Sequence, residues 1–487
     1  MSRFERARTS LRTWQKTSFR WSLRSRDGSS HGRFRLMVGI GAFSAAALAS
    51  GLVAVPLAQA GGTWSGAVEV PGAATLNTGG NGAINAISCA SAGNCSAIGT
   101  YGDTANGTQA FVVDETHGTW GSAQEVPGSG ALNVGNLGLV SAIDCSSPGN
   151  CGAGGIYTDA SKDTQSFVVN ETGGTWGSAL ELPGSAALNV GGGGGIDTIS
   201  CTSSGDCGVG GGYVDASKID QSFVANESKG TWGSATEIIG VNDSGASVLN
   251  SLVCSSSGNC TAGGGYNDAS NFTQSFVDTE EDGVWESSIE VPNTSLLNVS
   301  GNSVVVSVAC SADEYCTAGG YYTDGSHDQQ AFVVDETNGT WENAIEVPGT
   351  GTLNATGVAS TTSMSCSADG SCSLGGFYQD AANNNQAFVD SAAPLFSVPF
   401  PPGIRVSPKV NGSALITVLY SVDNGGSPIT QYQYSLDGGK WVDSPHHART
   451  SFTVLHLKVG KTYRVAVRAV NIVGTSRSSA SKSFKIK

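Results

Sequence analysis

The residues of this sequence best suited to chemistry are its 12 cysteines, which fall into six pairs of one spacing, Cys-x5-Cys. The pairs are Cys89 with Cys95, Cys145 with Cys151, Cys201 with Cys207, Cys254 with Cys260, Cys310 with Cys316, and Cys366 with Cys372. Paired thiols can bind a metal, cycle as a redox couple or form a disulfide. Structural zinc needs four ligands with tighter cysteine spacing, and the histidines of the same region, His117 and His327, fall at non-equivalent places. The first cysteines step by 56, 56, 53, 56 and 56 residues, and a fixed period of that size marks a repeat architecture. Small, polar or turn-forming residues lie between the cysteines, so each pair is expected to staple a hairpin. In the chain-entropy account so short a loop contributes roughly 2 kcal/mol per bridge.

The carboxylates repeat as well. Asp103, Asp159, Asp215, Asp268, Asp324 and Asp380 follow a small-residue strand, and Glu69, Glu125, Glu181, Glu237, Glu290 and Glu346 lie five residues after a tryptophan. A glycosidase needs only two carboxylates, so that class stays open. A residue present in every period, however, fits a turn cap or a solvent-facing strand position better than half of a unique catalytic pair. Tyr101, Tyr157, Tyr213, Tyr266, Tyr322 and Tyr378 could form a sugar-stacking ring, or simply pack beside the neighbouring glycines. Serine-histidine-aspartate catalysis has no support, because the histidines are scattered and no G-x-S-x-G elbow occurs. No cofactor is expected; calcium stays open where acidic loops converge, although no EF-hand-like ligand run is present.

Four short strands position these groups within one period. In the second copy the first ends at Cys145, the second runs from Cys151 through Gly154-Gly155 to Tyr157, the third carries Phe167-Val168-Val169, and the fourth runs from Thr175-Trp176 to Glu181-Leu182-Pro183. Short strands separated by Gly, Asn, Asp and Ser make meandering antiparallel sheets. The expected fold is all-β: a six-bladed β-propeller over residues 61–392, a Pro-rich linker over 393–401 and a β-sandwich over 402–487. The ring would close when the lone N-terminal strand, Thr63-Trp64 to Val70-Pro71, completes a last blade of only three strands, Cys366 to Val389. An open solenoid is the alternative, and it would need capping units.

On these pairs and periods the array resembles the disulfide-stapled β-propeller repeats of secreted actinobacterial proteins, and more distantly the kelch and sialidase propellers. Tyr157 follows its glycines off the kelch spacing, and in Asp114-Glu115-Thr116-His117-Gly118-Thr119-Trp120 the Asp lies one residue too far from the Trp for a sialidase Asp-box. The sialidase resemblance implies several arginines for a substrate carboxylate; residues 61–397 contain none, which excludes that activity. The C-terminal region resembles a fibronectin type III domain through Asp423-Asn424-Gly425-Gly426-Ser427-Pro428-Ile429-Thr430-Gln431-Tyr432, Leu457 with Gly460-Lys461-Thr462-Tyr463, and Ala469-Val470-Asn471 before Gly474-Thr475-Ser476, with Tyr420 where that family has a core tryptophan. It contains no Arg-Gly-Asp, so integrin-style recognition has no support.

Residues 1–60 carry ten Lys or Arg between Arg3 and Arg35, then an uncharged run from Leu36 to Leu57 ending in Ala58-Gln59-Ala60. This is expected to be a signal peptide cleaved before Gly61, the rival being an uncleaved anchor. Residues 61–397 hold three lysines against 35 acidic residues, whereas residues 398–487 hold 12 basic and three acidic ones. So acidic an array is an improbable partner for nucleic acid. The expectation is a secreted or cell-surface binding protein whose array presents a face to an extracellular glycan or a surface protein, with a fibronectin-like tether. The alternative is an extracellular polysaccharide-degrading glycosidase or its accessory subunit, an inference by analogy.

Overall fold

The structure, a computed structural model, describes residues 67–487 apart from 105–106, 242–244, 300, 395, 410–411, 420–423, 446 and 487. The expected signal segment, Thr63-Trp64 and Tyr420 therefore lie outside the described residues.

Each period builds one antiparallel sheet. In the second, Leu139–Ser147 pairs with Asn150–Thr158 and that strand with Thr164–Thr172. The expected single fourth strand is instead two dipeptides, Thr175–Trp176 and Leu180–Glu181, both on the third strand, with Glu171 opposite Trp176 and Phe167 opposite Glu181. Gly177 N–H donates to Asn170 O at 2.8 Å in the interruption, so the chain leaves the ladder and rejoins it. One helical turn, Ser185–Leu188, then leads to the next sheet.

The sheets stack face to face in chain order, and the first strand of each lies across the preceding sheet. Both faces of an inner sheet are covered, which is why Gln165 to Val169 are buried without alternation. The core between the second and third sheets gathers Ala142 and Val168 with Ile196, Ile199, Val209, Phe223 and Trp232. The strand that receives its neighbour is glycine-rich for a steric reason: a Cβ at Gly154 would stand 2.8 Å from Ile196 Cγ2.

The ring does not close. Val140, Ile196, Leu249 and Val305 each plug into the preceding sheet and are at most 2% exposed, but their counterpart in the first sheet, Ile84, is 44% exposed and its neighbour Ile87 54%. At the other end Val389 is 85% exposed, where Val168, Val224 and Val277 are at most 1%. The last sheet has three strands, Ala359–Cys366, Cys372–Gln379 and Asn385–Ser391, and among the described residues no fourth joins it. The N-terminal segment that was to complete it packs on the first repeat: Val70 lies against the group of Tyr101 and Phe111, and Pro71 O accepts Ala123 N–H at 2.7 Å. Pro127 and Pro183 make the same bond to Ala179 and Ala235 of the following repeat, so this segment acts as the tail of a preceding repeat. The six-bladed ring is thus replaced by an open stack of sandwiched sheets.

The C-terminal sandwich has one sheet of Gly403–Lys409, Ser413–Leu419 and Ser451–Val454, and another of Val442–Asp443, Gln431–Leu436, Thr462–Val470 and Lys482–Lys485. Ile416, Tyr432, Phe452, Val465 and Val467 fill the space between them. Tyr463 Oη accepts Lys458 N–H at 2.9 Å, a corner contact of the immunoglobulin-like sandwiches. The linker is held on both sides: Phe396 packs edge-on against Tyr315 and donates its N–H to Asp369 O, while Ser397 O accepts Asn471 Nδ2.

Candidate functional site

The structure contains six disulfides, Cys89–Cys95, Cys145–Cys151, Cys201–Cys207, Cys254–Cys260, Cys310–Cys316 and Cys366–Cys372. Each joins directly opposed residues of the first hairpin, with Cα atoms 3.9–4.1 Å apart. No cysteine is free among the described residues.

The repeated aspartates close the turn between the second and third strands. Asp159 Oδ1 accepts the N–H groups of Ser161 and Asp163 at 2.8 and 3.0 Å, and Oδ2 accepts Gln165 Nε2 at 3.1 Å. Asp103, Asp268, Asp324 and Asp380 hold equivalent turns. The Gln274 amide and the N–H groups of Phe272 and Ser270 keep the Asp268 carboxyl below its ordinary range. These groups are committed to the backbone.

The tyrosines and the post-tryptophan glutamates come together in three of the periods. Tyr101 donates to Glu125 at 2.9 Å, Tyr157 to Glu181, and Tyr322 to Glu346 at 3.3 Å. Burial, and then the carboxylate partner, push these phenols above their ordinary range. Tyr101, Tyr157, Tyr213 and Tyr322 are buried, so they present no open ring to a sugar. These four follow the packing reading, which leaves no ring of six open aromatics.

Two sets of residues escaped the sequence reading. The first is a buried asparagine after four of the helical turns, Asn133, Asn189, Asn298 and Asn354. Asn189 Nδ2 donates to Thr164 O at 2.8 Å and Gln165 Oε1 at 2.9 Å, and its Oδ1 accepts Val214 N–H of the next repeat at 3.2 Å. A recurring Leu-Asn, from Leu76-Asn77 to Leu353-Asn354, was the available signal. In the 53-residue step the Leu-Asn pair, Leu249-Asn250, falls on the first strand instead, and Ser247 Oγ accepts Ser222 N–H.

The second set is a row of glutamates at the end of the third strands. Glu171, Glu227, Glu280 and Glu336 are each at most 4% exposed. Glu171 accepts Ser96 Oγ of the preceding repeat at 3.4 Å, and Asn170 and Asn226 donate to Glu227 and Glu280 across the same junctions. The second oxygens of Glu227, Glu280 and Glu336 have no protein partner, nor has either oxygen of Asp278. Burial pushes all four glutamates, and Asp278, up to about 7. A cleft of about 300 Å³ between the third and fourth hairpins is lined by Asp206, Asn226, Glu227, Glu280 and Asp282. Its neighbour, about 230 Å³, is lined by Glu280, Glu281, Asp282, Asp313 and Glu314. These are the polar clefts in which a carboxylic acid holds its proton near neutrality. Among the described residues no three His, Cys, Asp or Glu side chains converge in a way that could hold a metal ion.

No protein-family model matches the chain. Among solved structures, titin kinase with its flanking domains is 29% identical over 19% of this chain and 18% of that chain, with a TM-score of 0.17. The fourth fibronectin type III domain of a human protein is 25% identical over 19% of this chain and 78% of that one, also at 0.17. The sixth fibronectin type III domain of human fibronectin type III domain containing protein 3 is 18% identical over 20% of this chain and 89% of that one, again at 0.17. The chain is a β-rich repeat protein stapled by disulfides and followed by a fibronectin type III-like domain, a description that rests on its own strand order.

Proposed function

We propose that this chain is an extracellular binding protein of the adhesion type: the stacked sheets form the ligand platform and the basic fibronectin-like domain attaches or spaces it. One observation carries the reading. The repeated aspartates, and the tyrosine–glutamate pairs of three periods, are spent on internal hydrogen bonds, as Asp159 and Tyr157 illustrate, so the array works as a scaffold. Six disulfides are the chemistry of an oxidising compartment, in keeping with secretion or surface attachment after cleavage near Gly61. The ligand is an extracellular glycan or a surface protein, met by clefts and loops the periods do not share. Contact between the basic domain and anionic surface polymers would weaken with salt.

The second reading, a glycoside hydrolase or its accessory subunit, keeps one specific observation: Glu227 and Glu280 border one cleft and carry raised proton affinities. A glycan array run beside a polysaccharide hydrolysis screen separates the two. The binding reading expects retention on the array without product release. Product release abolished by Glu280→Gln or Glu227→Gln would replace it with the hydrolase.

A further inference from the structure

We propose that copies of this chain assemble head to tail, the first sheet of one copy docking on the last sheet of the next. The argument starts from the five junctions inside the molecule. At four of them, two side chains of a first strand enter glycine positions on the second strand of the preceding sheet. Ile196 and Ile199 meet Gly154 and Gly152, Leu249 and Leu252 meet Gly210 and Gly208, Val305 and Val308 meet Gly263, and Thr361 and Met364 meet Gly319. The two halves of one more such junction stand uncovered at opposite ends of the array. Ile84 and Ile87 are the plug, in a stretch from Gly79 to Tyr101 that has no charged residue. Gly375 and Val389 are the socket: a Cβ at Gly375 would find only its own sheet, Phe388 O at 3.7 Å and Val389 Cγ1 at 3.9 Å.

The polar groups of the junction are also divided between the ends. Inside the array Ser141 Oγ donates to Gly154 O of its own sheet and to Ile196 O of the next, and Asn250 Nδ2 donates to Val305 O. Thr362, at the equivalent position of the last sheet, makes the first bond, to Gly375 O at 3.2 Å. Docking brings it Ile84 O for the second.

The backbone completes the match. Asn385–Ser391 is an edge strand, whereas the third strands before it are covered by dipeptides such as Leu180–Glu181. Val68-Glu69 occupy that dipeptide position in the N-terminal tail, pair with nothing in a named strand, and are exposed. Because Pro71 is already bonded to Ala123, docking carries Val68-Glu69 to Phe388-Val389 of the neighbouring copy, a strand addition that removes the open edge. A second copy is the occupant because it alone holds both the plug and the missing strand in the spacing the junction uses. A contact of this kind is heterologous and propagates into chains of copies.

The test uses the secreted chain and two variants, Ile84→Asp/Ile87→Asp at the plug and Val389→Asp at the socket. Both sets of positions are exposed, so circular dichroism of the variants is expected to match the parent. Sedimentation over about a hundredfold range of concentration should show the parent growing beyond a dimer by mass action. Each variant alone should stay monomeric, and an equimolar mixture should give a dimer that grows no further. Three results would overturn the proposal: a parent that is monomeric throughout, as intramolecular closure would make it; dimers of Val389→Asp alone, which would mean plug-to-plug pairing; or a mixture that stays monomeric.

Discussion

At the scale of single residues, the buried glutamates set how the array responds to pH. Glu171, Glu227, Glu280 and Glu336 have an ordinary value of 4.5 and are raised to about 7 in the folded chain. Between those values the folded state binds more protons than the unfolded one, so stability is greatest at low pH and falls as pH rises through the window. The melting temperature is therefore expected to be higher at pH 5 than at pH 8, measured by calorimetry. The array's net negative charge pushes the same way, so Glu280→Gln is compared with Glu342→Gln, an exposed site. The buried substitution should flatten the pH slope and the exposed one leave it largely unchanged; equal effects would assign the slope to general repulsion. Asn189→Ala tests the bridge between sheets: it strands the buried Val214 N–H and Gln165 amide oxygen and is expected to cost about 1–3 kcal/mol in a denaturant titration.

At the scale of elements, the staple and the glycine socket act on different states. The double change Cys145→Ser/Cys151→Ser releases a short loop in the unfolded chain and is expected to cost about 2 kcal/mol without unfolding the protein. Gly154→Val drives two methyls toward Ile196 in the folded state and is expected to cost about 1–3 kcal/mol. A chemical denaturation series ranks both; no loss from Gly154→Val would mean the sheets are further apart than described. The hairpins, the glycine strand and the Phe-Val strand were legible because their residue types repeat with the cysteines. The fourth strand was legible only in part, since its break at Gly177 depends on a bond to Asn170 O that no local pattern announces. The glutamate row was missed for a similar reason. In sequence Glu171 is an ordinary polar residue near a turn, and only the stacking of the next sheet buries it.

At the scale of the whole molecule, the sequence favoured a closed ring because a lone N-terminal strand and a three-stranded last sheet are arithmetically complementary. Counting strands cannot say whether the tail reaches the last sheet; Val68-Glu69 lie exposed outside every named strand, and Ile84 and Val389 are uncovered, so the two ends stay apart. An open stack is a sum of repeats and nearest-neighbour contacts. Deleting one complete period, residues 145–200, should therefore leave a folded protein with one sheet fewer, of reduced but cooperative stability by calorimetry. A closed ring would lose its geometry under the same deletion.

The openness of the array is tested most directly by one intramolecular distance. Nitroxide labels at Ile87→Cys and Val389→Cys, in protein diluted with an excess of unlabelled chain, report the gap between the first and last sheets of a single copy. The open stack expects a separation well beyond the ~10 Å of face-to-face sheets. A separation near that spacing would mean that the two ends meet in the same molecule, and it would contradict the account.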